Sequence, residues 1–127
     1  MEIQNNNLDK NYPKFSVAMS VYKNDNPEWF DIALYSIVTQ TIPPNEIVLI
    51  IDGPVTSEIH NVIDKYDCLY KNLFKVIEFK ENKGLGIALK TAVENCSYEL
   101  IARMDSDDIS IKNRFEQQLK YFEGNQI

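Results

Sequence analysis

Residues 46–51 read Glu-Ile-Val-Leu-Ile-Ile, and Asp52-Gly53-Pro54 follows at once. Five consecutive apolar residues, four of them β-branched, suit a strand covered on both faces; a strand with one wet face would alternate. Asp-Gly-Pro is turn chemistry and ends the run. Strands of this kind belong to parallel sheets, whose members are joined by crossover helices. The helical patterns should therefore lie on either side of the run.

They do. Upstream, residues 15–22 (FSVAMSVY) form a second mostly apolar run, and residues 23–26 a polar loop. Asn26 then offers a helix N-cap, Pro27 the favoured first helical position and Glu28 a first-turn acid. Trp29, Ala33 and Ile37, with Phe30, Leu34 and Val38, give that helix a broad apolar face, and it should stop before Pro43-Pro44. Downstream, Thr56 or Ser57 can cap a helix with Ile59, Val62, Ile63 and Tyr66 on one stripe. Residues 74–79 make a third strand. Past the polar turn at 81–84, Leu85, Ala88, Leu89, Ala92, Val93 and Cys96 mark the next helix, and residues 99–104 the fourth strand. Ile111, Phe115, Leu119 and Phe122 mark a last helix ending near Gly124.

The order β-α-β-α-β-α-β-α predicts an α/β fold, a parallel Rossmann-like nucleotide-binding sheet with helices on both faces. If the sheet grows outward from strand one and then reverses, the strand order is 3-2-1-4, with the switch point between strands one and four. Residues 1–14, rich in Asn and charge, read as a loose leader, and residues 15–127 as one domain. A chain of 127 residues holds one such core and not two. With 13 basic against 19 acidic residues, a formal net charge of -6 argues against nucleic acid or an anionic membrane as the main partner. No apolar stretch is long enough to span a bilayer, and Cys68 and Cys96 lack metal-ligand spacing. A cytoplasmic location follows.

Residues 101–109 (IARMDSDDI) carry the chemistry: an apolar run ends in Asp105, Asp107 and Asp108. Three acids crowded at the carboxyl end of a strand repel one another unless a cation neutralises them. In open α/β sheets that end is also where ligands bind. Carboxylates together with phosphate oxygens suit a hard divalent metal such as Mg2+ or Mn2+. A calcium loop beginning at Asp105 fails, because Ile109 and Ser110 stand where a ligand and the required glycine belong. The plainer reading is that the acids cap the last helix, a role that fits Asp108 best. The 3-2-1-4 order sets Ser20 to Tyr22 beside the acids, where Tyr22 could stack on a base or merely pack. Asp52 ends strand two in the same crevice, as a base or ribose acceptor or as a turn residue. Asn82, Lys83 and Gly84 form a tight loop facing it, with Lys83 a candidate phosphate partner. Gly84-Leu85-Gly86 lacks the third glycine and the position of a dinucleotide fingerprint.

In this order and spacing, FSVAMSVYKND (15–25), SIVTQTIPPNEIVLIIDGP (36–54), NKGLGIALKTAVENCSYELIARMDSDD (82–108) and RFEQQL (114–119) resemble the N-terminal, donor-binding portion of a family 2 glycosyltransferase of the GT-A fold. The likeness is nearest to the amylovoran-type enzymes of exopolysaccharide synthesis. The resemblance implies that Asp105-Ser106-Asp107 is the DxD motif, with Asp107 on Mn2+ or Mg2+ and Asp105 on the ribose or supporting the metal. It implies that Ser20 and Tyr22 hold the base and that Asn82 to Gly84 lie near ribose and base. The donor would be a nucleotide-sugar, most simply a UDP-sugar, and the acceptor a glycan. The intact enzyme would be peripheral to the inner face of the membrane. Many relatives carry two acids at the end of strand two; here Ile51 replaces the first and Asp52 stands alone, and Lys90 stands where Asn is frequent. The family's catalytic base is expected beyond Ile127, so the 127 residues alone are expected to bind the donor without transferring sugar. The outer edge of strand four is expected to self-associate. A non-catalytic nucleotide- or metal-binding module is the alternative. A nucleotidyltransferase would want a glycine- and lysine-rich loop after strand one, which Lys23 to Asn26 is not.

Overall fold

The structure, a computed structural model, describes residues 12–125. Most of the expected leader, residues 1–11, lies outside them. Eight elements alternate: β1 (Phe15–Val21), α1 (Pro27–Val38), β2 (Glu46–Ile51), α2 (Ser57–Leu69), β3 (Phe74–Glu78), α3 (Leu85–Glu94), β4 (Leu100–Met104) and α4 (Arg114–Asn125). The strands form one sheet in the order β3-β2-β1-β4, every neighbouring pair parallel, as expected from the sequence.

The pleat of β1 sorts its side chains between two layers. Phe15, Val17, Met19 and Val21 face a large core shared with Phe30, Leu34 and Ile37 of α1, Ile59, Val62 and Ile63 of α2, and Phe115 and Leu119 of α4. Each fully buried side chain of this size contributes roughly 1.5–3 kcal/mol. Ala18 faces the other way with Val48 and Ile50, against Ala88 and Ala92 of α3. Three helices thus cover one face and a single helix the other. On α3 the small residues meet the sheet, while Leu85 and Ile87 stay more than half exposed. The expectation that Leu85 belongs to the buried stripe is corrected for that reason.

The caps follow the sequence. Asn26 Oδ1 accepts from the backbone N–H groups of Glu28 and Trp29, and Thr56 Oγ1 from that of Ile59. The last helix starts later than its pattern suggested: Ile111 lies before it and is exposed. A first-turn donor of α4 is satisfied from a distance, by Gln40 just past the end of α1. The buried Gln40 amide accepts from Phe115 N at 3.0 Å and donates to Ile111 O at 2.6 Å and Ser36 O at 2.9 Å. Ser36 Oγ in turn accepts from Ser110 N at 3.0 Å. The segment after the acids is therefore pinned to α1.

β4 is an edge strand, as is β3 at the other side, and among the described residues the far edge of β4 pairs with no other strand. A groove of about 470 Å³ runs beside it, lined by Phe15, Leu100, Ala102, Phe115 and others. Among the described residues, no helix is long and apolar enough to cross a membrane.

Candidate nucleotide and metal site

Strand register assembles the site. Met104 stands opposite Met19, so Asp105 emerges level with Ser20, and Ser20 in turn pairs with Ile50 just before Asp52. The carboxyl ends of β1, β2 and β4 therefore open into one crevice of about 390 Å³, within the size range of small-molecule sites. Its lining includes Ser20, Tyr22, Asp52, Asn82, Gly84, Asp105 and Asp107. Of the residues singled out from sequence, Lys83 and Asp108 are not among the lining. Lys83 Nζ stands 4.8 Å from the centre of the Phe79 ring. Ser20 is buried, whereas Tyr22 is 39% exposed.

Asp25 and Leu85 also line the crevice, and sequence reasoning passed over both. Asp25 Oδ2 accepts from Tyr22 N at 2.9 Å while Asp25 N donates back to Tyr22 O at 3.1 Å, closing the turn after β1. An Asp three residues past a strand end, in a polar loop, was the available signal.

Asp52 is 4% exposed and fully engaged with the loop after β3. Its Oδ1 accepts from Lys83 N at 2.7 Å, and its Oδ2 from Gly84 N at 3.1 Å and from Asn82 Nδ2 at 3.2 Å. Gly53 and Gly84 take φ of 88° and 100°, left-handed values that glycine adopts without a Cβ penalty. At Gly53 space matters as well: a Cβ there would lie 2.6 Å from Asn82 N.

Asp105, Asp107 and Asp108 are exposed, and each can bring a carboxylate oxygen within 4.8 Å of the other two. Among the described residues no donor reaches the carboxylates of Asp105 or Asp107. Asp108 Oδ2 lies 3.4 Å from Asp105 N, and Asp108 N donates to Asp105 O at 3.1 Å, so Asp108 closes the turn. It does not cap α4, which begins at Arg114, and that expectation is corrected. Partial burial, then the charges of Asp108, Asp107 and Asp25, push the Asp105 carboxyl above its ordinary range. Three hard oxygen donors with mutual repulsion and, among the described residues, no ion-pair partner fit a divalent metal.

The chain matches the family model described as Glycosyl transferase family 2 over residues 16–127. It is 45% identical over 104 residues to an Escherichia coli UDP-Gal:alpha-D-GlcNAc-diphosphoundecaprenol beta-1,3-galactosyltransferase, covering 82% of this chain and 37% of that protein. To the amylovoran biosynthesis glycosyltransferase AmsE of Erwinia amylovora it is 38% identical, covering 87% of this chain and 41% of the relative. This chain thus spans about two fifths of the length of these curated relatives. The crystal structure of S. aureus TarS 1-349 superposes with a TM-score of 0.76 at 26% identity, over 89% of this chain and 33% of the other. The sheet order and these neighbours make the fold that of the GT-A glycosyltransferases. With the family model covering nearly all of its described length, the chain belongs to glycosyl transferase family 2.

Proposed function

We propose that this chain is the donor-binding part of a metal-dependent glycosyltransferase that passes a sugar from a nucleotide-sugar to a growing surface or extracellular polysaccharide. The observation that carries this reading is the single crevice uniting Ser20, Tyr22, Asn82 and Gly84 with the open carboxylates of Asp105 and Asp107. The names of the relatives support it: one uses UDP-Gal and the other serves amylovoran biosynthesis. A UDP-sugar is accordingly the donor class we assign.

Tyr22 and Ser20 receive the base, and residues 82–84 border the ribose and base. Asp105 and Asp107 would hold Mn2+ or Mg2+, which supplies charge neutralisation for the departing diphosphate. No carboxylate of the crevice is assigned as the acceptor's base. Asp52 and Asp25 are engaged by the donors described above, and the remaining acids are committed to the cation. In this reading the 127 residues bind donor without transferring sugar. The same reading makes the enzyme cytoplasmic, at the inner face of the membrane. It assigns self-association to the outer edge of β4, which a monomer at high concentration by light scattering rejects.

The deciding experiment is titration of a panel of nucleoside diphosphates with Mn2+ and in excess chelator. UDP is expected to bind tightly only with Mn2+, because the acids repel the diphosphate until a cation bridges them. Equal affinity under both conditions rejects the reading.

A further inference from the structure

We propose that Arg114 is a positioning residue for the acid cluster: its guanidinium clips together the two ends of the loop that carries Asp105, Asp107 and Asp108. This rests on the metal and nucleotide reading above and specifies what aims the acids.

The contacts lie on both sides of the loop. Met104, the last residue of β4, precedes the acids and is 2% exposed, and Ser110 follows them. Ser110 Oγ donates to Met104 Sδ at 3.7 Å. Arg114 Nη1 donates to Ser110 Oγ at 3.0 Å and to the same sulfur. Residues 105–109 thus form a loop closed at its neck by one side chain. The guanidinium is itself seated, with its Cζ 5.1 Å from the centre of the Phe115 ring. That ring meets Phe15 of β1 edge-on at 4.9 Å, so the neck is tied back to the strand that ends at the crevice.

Two features set Arg114 apart from an ordinary surface arginine. A cation in the first turn opposes the helix dipole, yet Arg114 opens α4. Three carboxylates stand just before it in the chain, yet among the described residues none is ion-paired with it. Its donors go instead to a hydroxyl and a thioether, neutral acceptors that leave the carboxylate oxygens open. Arg114 lines the groove outside β4 and not the crevice, so it acts through the loop rather than on a ligand. The flat guanidinium is what the neck requires. A lysine would keep the charge but lose both the stacking on Phe115 and the fixed direction of the donors.

The test uses the 127-residue chain and its R114K, R114M and S110A variants, read by amide hydrogen exchange and by titration with UDP in Mn2+. The Asp108 and Ser110 amides, which donate to Asp105 O and Ser36 Oγ, should exchange faster in R114K and R114M. The acceleration should exceed that at Ala18 and Val48 in the central strands, which report global unfolding. UDP affinity should fall about tenfold in both variants, as expected when the support behind metal ligands is lost. S110A leaves the charge in place and should shift both readouts the same way by less, and the R114K/S110A double variant should be no worse than R114K. Wild-type affinity in R114K with a loss in R114M would assign the effect to charge and overturn the proposal. Unchanged affinity in both overturns it, and so does equal acceleration of loop and core amides, which would make Arg114 a general stabiliser. Should the Arg114 variants fail to fold, S110A decides by the same two readouts. A wild-type chain that binds no UDP in Mn2+ overturns the functional reading instead, and the Asp108 and Ser110 amides then decide the clip by themselves.

Discussion

Carboxylates stand at both ends of the sheet, and they are treated in opposite ways. At the amino end of β2, Glu46 accepts from Ser16 Oγ at 2.7 Å and from Ser97 N and Ser97 Oγ at 2.8 Å, with Lys75 Nζ 3.9 Å away. Burial alone would push its carboxyl up, but the bonds from Ser97 and Ser16 and the Lys75 charge outweigh burial and hold it below its ordinary value. At the carboxyl end of β4, Asp105 and Asp107 receive no such donors among the described residues, and their neighbours are further acids. An acid that ties strands together is surrounded by donors that the fold supplies. Acids left facing one another without donors are where the proposed function puts its cation. Asp52 belongs to the first kind although it stands at the second end.

The comparison is broken most directly at the open acids. Asp107→Ala should lower Mn2+-dependent UDP affinity on the order of a hundredfold, since loss of a metal ligand costs at least as much as loss of its support. In chelator its urea midpoint should match that of the wild type, because an exposed acid contributes nothing to the core. A variant that keeps its affinity shows that the acids serve no metal.

A smaller effect is expected at Gln40, which holds the segment behind the acids. Gln40→Ala leaves the buried Phe115 N without its partner and removes the bond to Ile111 O, at a cost of about 2 kcal/mol in urea unfolding. Metal affinity should fall with it, as the backbone that follows Asp108 loses its anchor on α1. Wild-type stability in this variant would mean that Ser36, and Thr41 N donating to Lys112 O at 3.0 Å, suffice to hold the segment.

At the satisfied end, Glu46→Gln should cost about 1 kcal/mol at neutral pH. The sign with pH follows from the lowered carboxyl. A group that ionises more readily when folded contributes stability that is complete above its ordinary value of 4.5 and is lost as pH falls through the lowered one. The gap between wild type and variant should therefore hold from neutral pH down to that value and close below it. Denaturant midpoints measured across the acid range check this, and a gap independent of pH would show that the charge of Glu46 is not what stabilises.

How much of this was legible from the sequence depends on what each residue bonds to. The β-branched runs of β1 and β2, the Asn26-Pro27 start of α1 and the strand order could all be read, because apolar spacing and cap chemistry are written in side chains. The placement of Leu85 was misread because α3 lies alone on its face and fully buries only Ala88 and Ala92, with Val93 packed beside them. The grip of Asp52 on Lys83 and Gly84, and of Gln40 on Phe115 and Ile111, left no trace at the far end. A backbone N–H or C=O is supplied by any residue, so the partner position carries no signature. Strand order brought Ser20, Tyr22, Asp52 and Asp105 to one crevice, but it passed over Asp25 and Leu85 and gave no sign of what holds the site in place.

The smallest effect separates the members of the acid cluster from one another. Asp108→Ala should change global stability by less than about 0.5 kcal/mol, within the range of ordinary surface substitutions. A helix-capping acid would cost about 1 kcal/mol, but α4 begins at Arg114 and a first-turn N–H, that of Phe115, is taken by Gln40. What Asp108 does hold is the turn, through a long 3.4 Å contact with Asp105 N and its own N–H on Asp105 O. Only the first of these needs the side chain. The variant should keep most of its Mn2+-dependent UDP binding, with a drop well short of that in Asp107→Ala. The two variants titrated side by side therefore read the register of the motif. If Asp108→Ala abolishes binding and Asp107→Ala retains it, the cation sits one residue further along the chain. The division between open and satisfied acids would then have to be redrawn inside the cluster itself.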